Sequence, residues 1–424
     1  MARAATDAGS RVAVIGTGIA GMSVAYALCR RHDITVFESD SRLGGHVHTH
    51  EVADPSGTIN VDTGFIVFNA RTYPTLVKLF AHLGVKTRQS DMSFSVRCDA
   101  TDFEYNGTSI NSLLAQRTNA LKPAFWRMVR DILRFNREAS QLLTLMGTGP
   151  TLREFLRERN FSGWFVERYL IPMSAAIWSA EPEGILDFPV RFLARFFHNH
   201  GMLTVDERPQ WETVVGGSST YAKALCGPWQ DRVRLASPVT SIRRLSDRVE
   251  VTSRGVTESF DGVVVAAHTD QALALLADPS REESEVLGSI PYQENEAVLH
   301  TDSRLLPRRR LARAAWNYHL VRGPAKRASV TYWMNRLQGL SATNDWCVTL
   351  NRTRDIDPAK VVKTMTYHHP VFSQTAVAAQ DRHREIQGKR RTWFCGAWMR
   401  FGFHEDGIYS AGEVLRDFEL TVIP

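Results

Sequence analysis

An α/β fold is what the sequence predicts, and three observations predict it. Residues 11–31 run as an apolar strand, a glycine-rich turn and a helix, and a second strand ending in an acid follows at once. The 424 residues are 43% hydrophobic and 23% charged, a globular composition without repeats or low-complexity stretches. That length exceeds one ordinary core, so two or three domains are expected at about 150 residues each.

The elements can be justified in order. RVAVIG (11–16) has the unbroken apolar character of a buried strand, and TGIAGMSVAYALCRR places Ile19, Met22, Ala25, Tyr26 and Cys29 on one side of a helix. Between them stands the glycine pattern Gly16, Gly18, Gly21. The first glycine allows the tight turn, and the second lets the backbone approach a pyrophosphate. The third lets the helix pack closely, so Ile19 and Ala20 at its N-terminus face the phosphates. DITVFESD is the second strand. Its Glu38, followed by Ser39, stands 22 residues after Gly16, where a carboxylate accepts hydrogen bonds from ribose hydroxyls. The whole is a Rossmann-like dinucleotide-binding unit.

Val12–Cys29 is 18 residues without a charge, and length alone would suggest a membrane helix. Its three glycines, the absence of a small-residue cleavage site and the strand that follows argue for the cofactor strand and helix instead. Ala4 to Ser10 reads as a disordered tail. The five cysteines (29, 98, 226, 347, 395) are odd in number and scattered, which excludes a disulfide scaffold and fits a reducing, cytoplasmic compartment. The formal charge is +6, and only 8 of the 51 basic residues are Lys. No nucleic-acid recognition motif accompanies that charge, so no nucleic-acid partner is expected.

SRLGGHVHTH, just after Glu38, supplies Arg42, Gly44 and Gly45. Together with the first glycine pattern, this loop resembles the second glycine pair of the flavin-containing amine oxidase family, which also includes protoporphyrinogen oxidases and carotenoid desaturases. VDTGFIVFN (61–69), ETVVGGSSTYAKAL, VRLASPVTSIRR, DGVVVAAHTDQALALL and the closing RTWFCGAWMRFGFHEDGIYSAGEVLRDFEL resemble further blocks of the same family. The resemblance implies non-covalent FAD. It implies that Arg42, Gly44, Gly45 and His46 wrap the pyrophosphate and ribityl chain, and that Thr63, Gly64 and Phe65 lie beside the flavin ring. Val239 would contact the adenine side. Gly396 would contact the cofactor, and Gly407, Ile408 and Ser410 would bring a helix N-terminus to the flavin, with Glu405 or Asp406 on the ribityl chain. Cys395 lacks the context of a covalent flavin attachment.

Cofactor blocks at the start, middle and end imply two interleaved domains. One is an FAD-binding domain at 10–69, 210–285 and 390–424; the other is a mixed α+β substrate domain at 70–209 and 286–389. The first insertion reads as helical and the second as a sheet over the reactive face of the flavin. In LKPAFWRMVRDILRFNREAS (121–140), Arg127, Arg130, Arg134 and Arg137 oppose an apolar face. That is the pattern of an ordinary amphipathic domain helix, and also of one lying peripherally on an anionic membrane.

Family members hold a water with a Lys on a sheet strand; EAVLHTD resembles that strand with His300 near the Lys position, which makes His300 and His404 the acid/base candidates. Trp316, Tyr318, Tyr332, Trp333 and Trp398 are the candidate substrate aromatics, and Asn317 stands among them. His46, His48 and His50 alternate, but no Cys or carboxylate set joins them, so no metal is expected. His198, His200, His368 and His369 read as ordinary surface or core residues. A bacterial subgroup that the chain also resembles is linked to modified fatty acids. The expected function is therefore an FAD-dependent oxidoreductase taking hydride from an apolar, fatty-acyl substrate in a desaturation, with an unassigned electron acceptor. An amine or amino-acid oxidase making hydrogen peroxide, or an FAD protein with a non-redox isomerase role, are the alternatives.

Overall fold

The computed structural model describes residues 6–144, 147–204, 208–321 and 327–424. The glycine turn lies at the middle of a five-stranded parallel sheet. Its spatial order is Val233–Arg234, Asp33–Phe37, Arg11–Ile15, Gly262–Val265 and Thr392–Phe394. Strands so placed are covered on both faces, which is why VAVI and VVV are unbroken apolar runs: Val12, Val14, Val263 and Val264 are all buried. Segments from the start, middle and end of the chain thus meet in one sheet. The uncharged stretch divides between the Arg11–Ile15 strand and the Ile19–Leu28 helix. Among the described residues no helix is long and apolar enough to cross a membrane.

A second sheet has seven strands, in the order Val361–Pro370, Tyr292–His300, Cys347–Leu350, Val330–Trp333, Trp316–Leu320, Phe94–Cys98 and Phe103–Asn106. All its pairs are antiparallel except Trp316–Leu320 with Phe94–Cys98. Five of these strands fall in the 286–389 insertion, where a sheet is expected. The other two correct the helical reading of 70–209. FSVRC and FEYN have five and four residues, too few for a two-residue alternation to stand out in a region dominated by long helices. Those helices include Pro123–Gln141 and Val190–Asn199. Their apolar sides join the seven-stranded sheet in one large core containing Phe125, Phe135, Phe165 and Phe197.

The N-terminal segment needs a correction as well. Residues 4 and 5 of the expected tail lie outside the described residues, but Asp7–Ser10 form a turn that leads into the central strand Arg11–Ile15 and extends its pairing with the Asp33–Phe37 strand. Ser10 is buried, its hydroxyl donates to the Asp7 carbonyl at 2.7 Å, and its own carbonyl accepts from Asp33 N at 3.1 Å.

Candidate functional site

A cavity of about 1240 Å³ lies between the parallel sheet and the seven-stranded sheet. Ligand pockets usually measure about 300–1,000 Å³, so this one has room for more than one small molecule. It begins at the C-terminal ends of the parallel strands, where open α/β sheets bind their ligands.

The glycine turn forms one wall, and its three glycines act differently. At Gly16 the backbone has φ +95°, and a Cβ would sit 2.4 Å from the Ala266 carbonyl oxygen; at Gly21 a Cβ would sit 2.0 Å from the Gly16 oxygen. Both are needed for close packing, and Gly21 itself does not line the cavity. Gly18 does line it, and a Cβ there would meet nothing within 4 Å. Among the described residues no side chain caps the Ile19–Leu28 helix that starts there, and Ile19 and Ala20 of its first turn line the cavity.

Glu38 and Ser39 line the next stretch. One Glu38 oxygen accepts from the Thr17 amide at 2.9 Å and from its hydroxyl; the other accepts from Asp40 N at 2.9 Å and Ser39 Oγ at 3.2 Å. Gly44, Gly45, His46, Thr63, Gly64 and Phe65 continue the wall, with Val239 and Gly396 beyond them. Arg42 is a correction. Its guanidinium turns into its own loop and donates to the carbonyls of Gly45 at 2.7 Å, Val47 at 3.0 Å and Leu43 at 3.3 Å. It shapes the glycine loop and does not line the cavity.

His46 also belongs to a cluster of histidines whose other members, His268, His368 and His369, the sequence reading did not place in the site. His46 is half-buried, and its Nε2, itself out of contact with solvent, has no hydrogen-bond partner among the described residues. Its ring lies 5.1 Å from that of Tyr367, 5.5 Å from His369 and 6.1 Å from His268, which stacks on Tyr292 at 4.2 Å. Burial, and then the neighbouring histidines, hold these rings neutral: His46 and His369 are pulled down to about 3, His268 to about 4. His368, His369 and His200 therefore belong to the cavity wall, contrary to their reading as ordinary surface or core residues. Among the described residues, no group of three His, Cys, Asp or Glu side chains is placed to hold a metal ion.

The C-terminal helix, His404–Asp417, brings His404 to the cavity. That ring stacks on Phe65 at 3.7 Å, shares a 2.9 Å hydrogen bond with the Tyr221 hydroxyl, and is held neutral by burial. The next four residues correct the expectation for them. Glu405 accepts from Thr75 N and Leu76 N, both at 3.0 Å, and so caps the Pro74–His82 helix. Asp406 accepts from Phe403 N at 2.9 Å and Phe401 N at 3.2 Å. Gly407 lets the C-terminal helix approach Ile19, whose Cγ2 would lie 2.6 Å from a Cβ, and Ile408 is core. All four lie in the helix's first turn, where packing and capping use them; none lines the large cavity.

His300 is also corrected. It is fully buried in the seven-stranded sheet, where its Nε2 bonds Thr349 Oγ1 at 2.7 Å and its Nδ1 accepts from Asp302 N at 3.0 Å. Both nitrogens are used and the ring does not reach the cavity. The pairing register shifts between Leu299 and His300, an irregularity no spacing argument anticipates.

Of the candidate substrate aromatics, Trp316, Tyr332 and Trp398 line the cavity, the first two meeting edge to face at 4.8 Å. Tyr318 and Trp333 do not: Tyr318 is core, and the Trp333 ring N–H donates to Asp345 at 3.0 Å. The rest of this end comes from residues sequence reasoning did not select, among them Met92, Tyr169, Met173, Trp178 and Phe196. Asp91 is the carboxylate here, and Arg336 donates to it at 2.6 Å.

A sequence model described as flavin containing amine oxidoreductase matches residues 19–338. The chain belongs to the flavin-containing amine oxidoreductases. This family uses FAD, and FAD is the cofactor of this chain. Among curated relatives, an L-amino-acid oxidase of Pseudechis australis is 21% identical over 320 residues, 69% of this chain and 58% of that protein. The chain thus spans a little over half the length of that relative. Among solved structures, cyclohexylamine oxidase from Brevibacterium oxydans IH-35A superposes with TM-score 0.69 at 14% identity, over 97% of this chain and 100% of that one. A fatty acid isomerase from P. acnes, described as producing CLA, superposes with TM-score 0.66 at 15% identity, over 98% and 99%. A putative protoporphyrinogen oxidase from Exiguobacterium sp. 255-15 gives 0.67 at 15%, over 97% and 98%. At such identities these likenesses show the fold.

The amine oxidoreductase cavity fits FAD on its own evidence. The open space before Gly18, the uncapped helix behind it and the unpartnered His46 Nε2 all face one continuous cleft. Cys395 is fully buried with its thiol pushed up to about 12, the opposite of an attachment thiolate.

Proposed function

We propose that this chain is an FAD-dependent oxidoreductase acting on a largely apolar substrate, a fatty-acyl chain. Residues 10–69, 210–285 and 390–424 would form the cofactor half, and 70–209 with 286–389 the substrate half. The observation that carries this reading is the chemistry of the substrate end: thioether, indole and phenyl groups form most of it, its carboxylate, Asp91, is already paired with Arg336, and the cation Arg208 also lines it. A protonated amine would leave its charge without a counter-charge there, at a desolvation cost of several kcal/mol. An acyl chain needs no counter-charge there, and its carboxylate would meet Arg208, which lines the same cavity.

When bound, FAD supplies a two-electron acceptor. The chain's own groups do the rest. The glycine turn and the Ile19–Leu28 helix end would hold the phosphates, and Glu38 would accept from the ribose hydroxyls. The aromatic end excludes water and orients the chain. His404 is the proton acceptor in this proposal: it faces the cavity, burial keeps it neutral, and Tyr221 with Phe65 fixes its ring. Addition of free fatty acids and phospholipids to the holoprotein without oxygen tests the reading. Loss of flavin absorbance with an acyl lipid supports it.

Amine or amino-acid oxidation is the second reading, favoured by the L-amino-acid oxidase relative and by the aromatic pair Trp316–Tyr332. Peroxide formation across an amine panel would select it. A shifted double bond in the lipid with no net loss of flavin absorbance would select a non-redox isomerase instead.

A further inference from the structure

Large apolar side chains are exposed on one contiguous surface of the substrate half. Ile110 is 79% exposed on the short helix Ile110–Leu113, Leu121 is 84% exposed at the end of the Arg117–Leu121 turn, and Leu311 is 48% exposed on the turn Arg310–Ala312. The Arg310–Ala312 turn packs on the Ile110–Leu113 helix, and the Arg117–Leu121 turn packs on the helix Pro123–Gln141. Arg117 ties them together by donating to the carbonyls of Asn111 and Leu114.

The Pro123–Gln141 helix extends this surface. Its buried side carries Phe125, Met128 and Phe135. Its outer side is not the uniformly polar one of an ordinary solvated helix: Trp126, Arg130, Leu133 and Arg137 follow at four-, three- and four-residue steps, one stripe of alternating apolar and cationic groups. Trp126 has its ring N–H satisfied by the Ala120 carbonyl at 2.8 Å, which leaves the ring face outward.

The charges around these groups have one sign. Arg117, Lys122, Arg127, Arg130 and Arg310 have no carboxylate partner among the described residues. The acids nearby are already taken: Asp131 and Glu138 by Arg134, Asp102 by Arg308 and Arg309. The patch also adjoins the cavity. Gly107 and Thr108 line it and are themselves exposed, so the cavity reaches the surface two residues before Ile110.

We infer that this face docks on an anionic phospholipid surface, with Ile110, Leu121, Trp126 and Leu311 entering the headgroup–acyl boundary and the basic groups around them meeting lipid phosphates. Apolar wedges ringed by unpaired cations suit that boundary, where alkyl stems lie against lipid and charged ends reach the phosphates. A soluble polyanion would use the cations and leave the apolar groups in water. The inference goes beyond the acyl-chain reading, and binding can fail or succeed whatever the substrate is.

The test is co-sedimentation of the full FAD-loaded chain with vesicles of phosphatidylcholine alone and with added phosphatidylglycerol. Binding is expected only to the anionic vesicles, with at least a tenfold loss in 0.5 M salt. Two variants separate the contributions: I110S/L121S/W126S removes the wedges and R127E/R130E reverses the charge. Each is expected to lower binding at least fivefold while flavin content and Tm stay as in the wild type, because all five side chains are exposed. Absence of wild-type sedimentation with anionic vesicles would overturn the inference. So would undiminished binding by the apolar variant, which would mean that the cations serve a polyanion in solution.

Discussion

At Gly18 a missing Cβ leaves open cavity, whereas at Gly21 it admits the Gly16 carbonyl. The same replacement should therefore act differently at the two positions. G18V is expected to fold with an unchanged apoprotein Tm and bind FAD at least tenfold more weakly, about 1.4 kcal/mol or more. G21V is expected to lose the fold, read as absence of a cooperative melt. The two histidines first selected by sequence should also separate. H404Q is expected to keep its flavin and lose roughly 10²- to 10⁴-fold in turnover, the usual size of a general-base contribution. H300A should instead leave Thr349 and the Asp302 amide without their buried partner, at about 1–3 kcal/mol of stability, with kcat unchanged. The neutral histidine wall sets a pH dependence. Native His46, His268 and His369 titrate below the ordinary 6.5, so the unfolded chain binds protons first on acidification. Their contribution is complete above about pH 6.5 and is lost as pH falls toward about 3 to 4. Burial raises Asp62 to about 6 and Asp406 to about 7, which works in the other direction: that contribution is complete below 3.8 and lost as pH rises through those values. Melting curves from pH 4 to 8 should show the acid limb flatten in H46Q/H369Q and the alkaline limb remain.

Elements explain which of these residues could be read in advance. The strand, turn and helix at 11–28 were legible because the chemistry of a phosphate site dictates glycines at fixed intervals within one short segment. The histidine wall was not, because it joins residue 46, residue 268 and residues 368–369, which only the meeting of two sheets brings together. Arg42 and Glu405 were misplaced for a related reason: a loop and a helix start each have backbone groups of their own to satisfy, and the nearest charged side chain is used for that first. Glu405 links the C-terminal helix to the Pro74–His82 helix. E405A is expected to cost about 1 kcal/mol, the size of a lost helix cap, seen as a lower denaturation midpoint with little change in flavin binding. Asp62 joins three elements: it accepts from Thr49, from the Ser218 amide and hydroxyl, and from Gln338.

For the molecule as a whole, the fold class was legible and the details of the substrate half less so. Two short strands, Phe94–Cys98 and Phe103–Asn106, leave a mainly helical region to complete a sheet whose other five strands begin only at Tyr292, and no local pattern announces that. The substrate end they help enclose is mainly apolar, with its carboxylate paired and one cation, Arg208, and the acyl-chain reading depends on that. Anaerobic titration of the holoprotein is the most direct test, with fatty acids and phospholipids in one series and primary amines and amino acids in the other, followed at the flavin absorbance. Bleaching by an acyl lipid, with none by the amines, is the predicted result; bleaching by an amine, with the lipids inert, would contradict it.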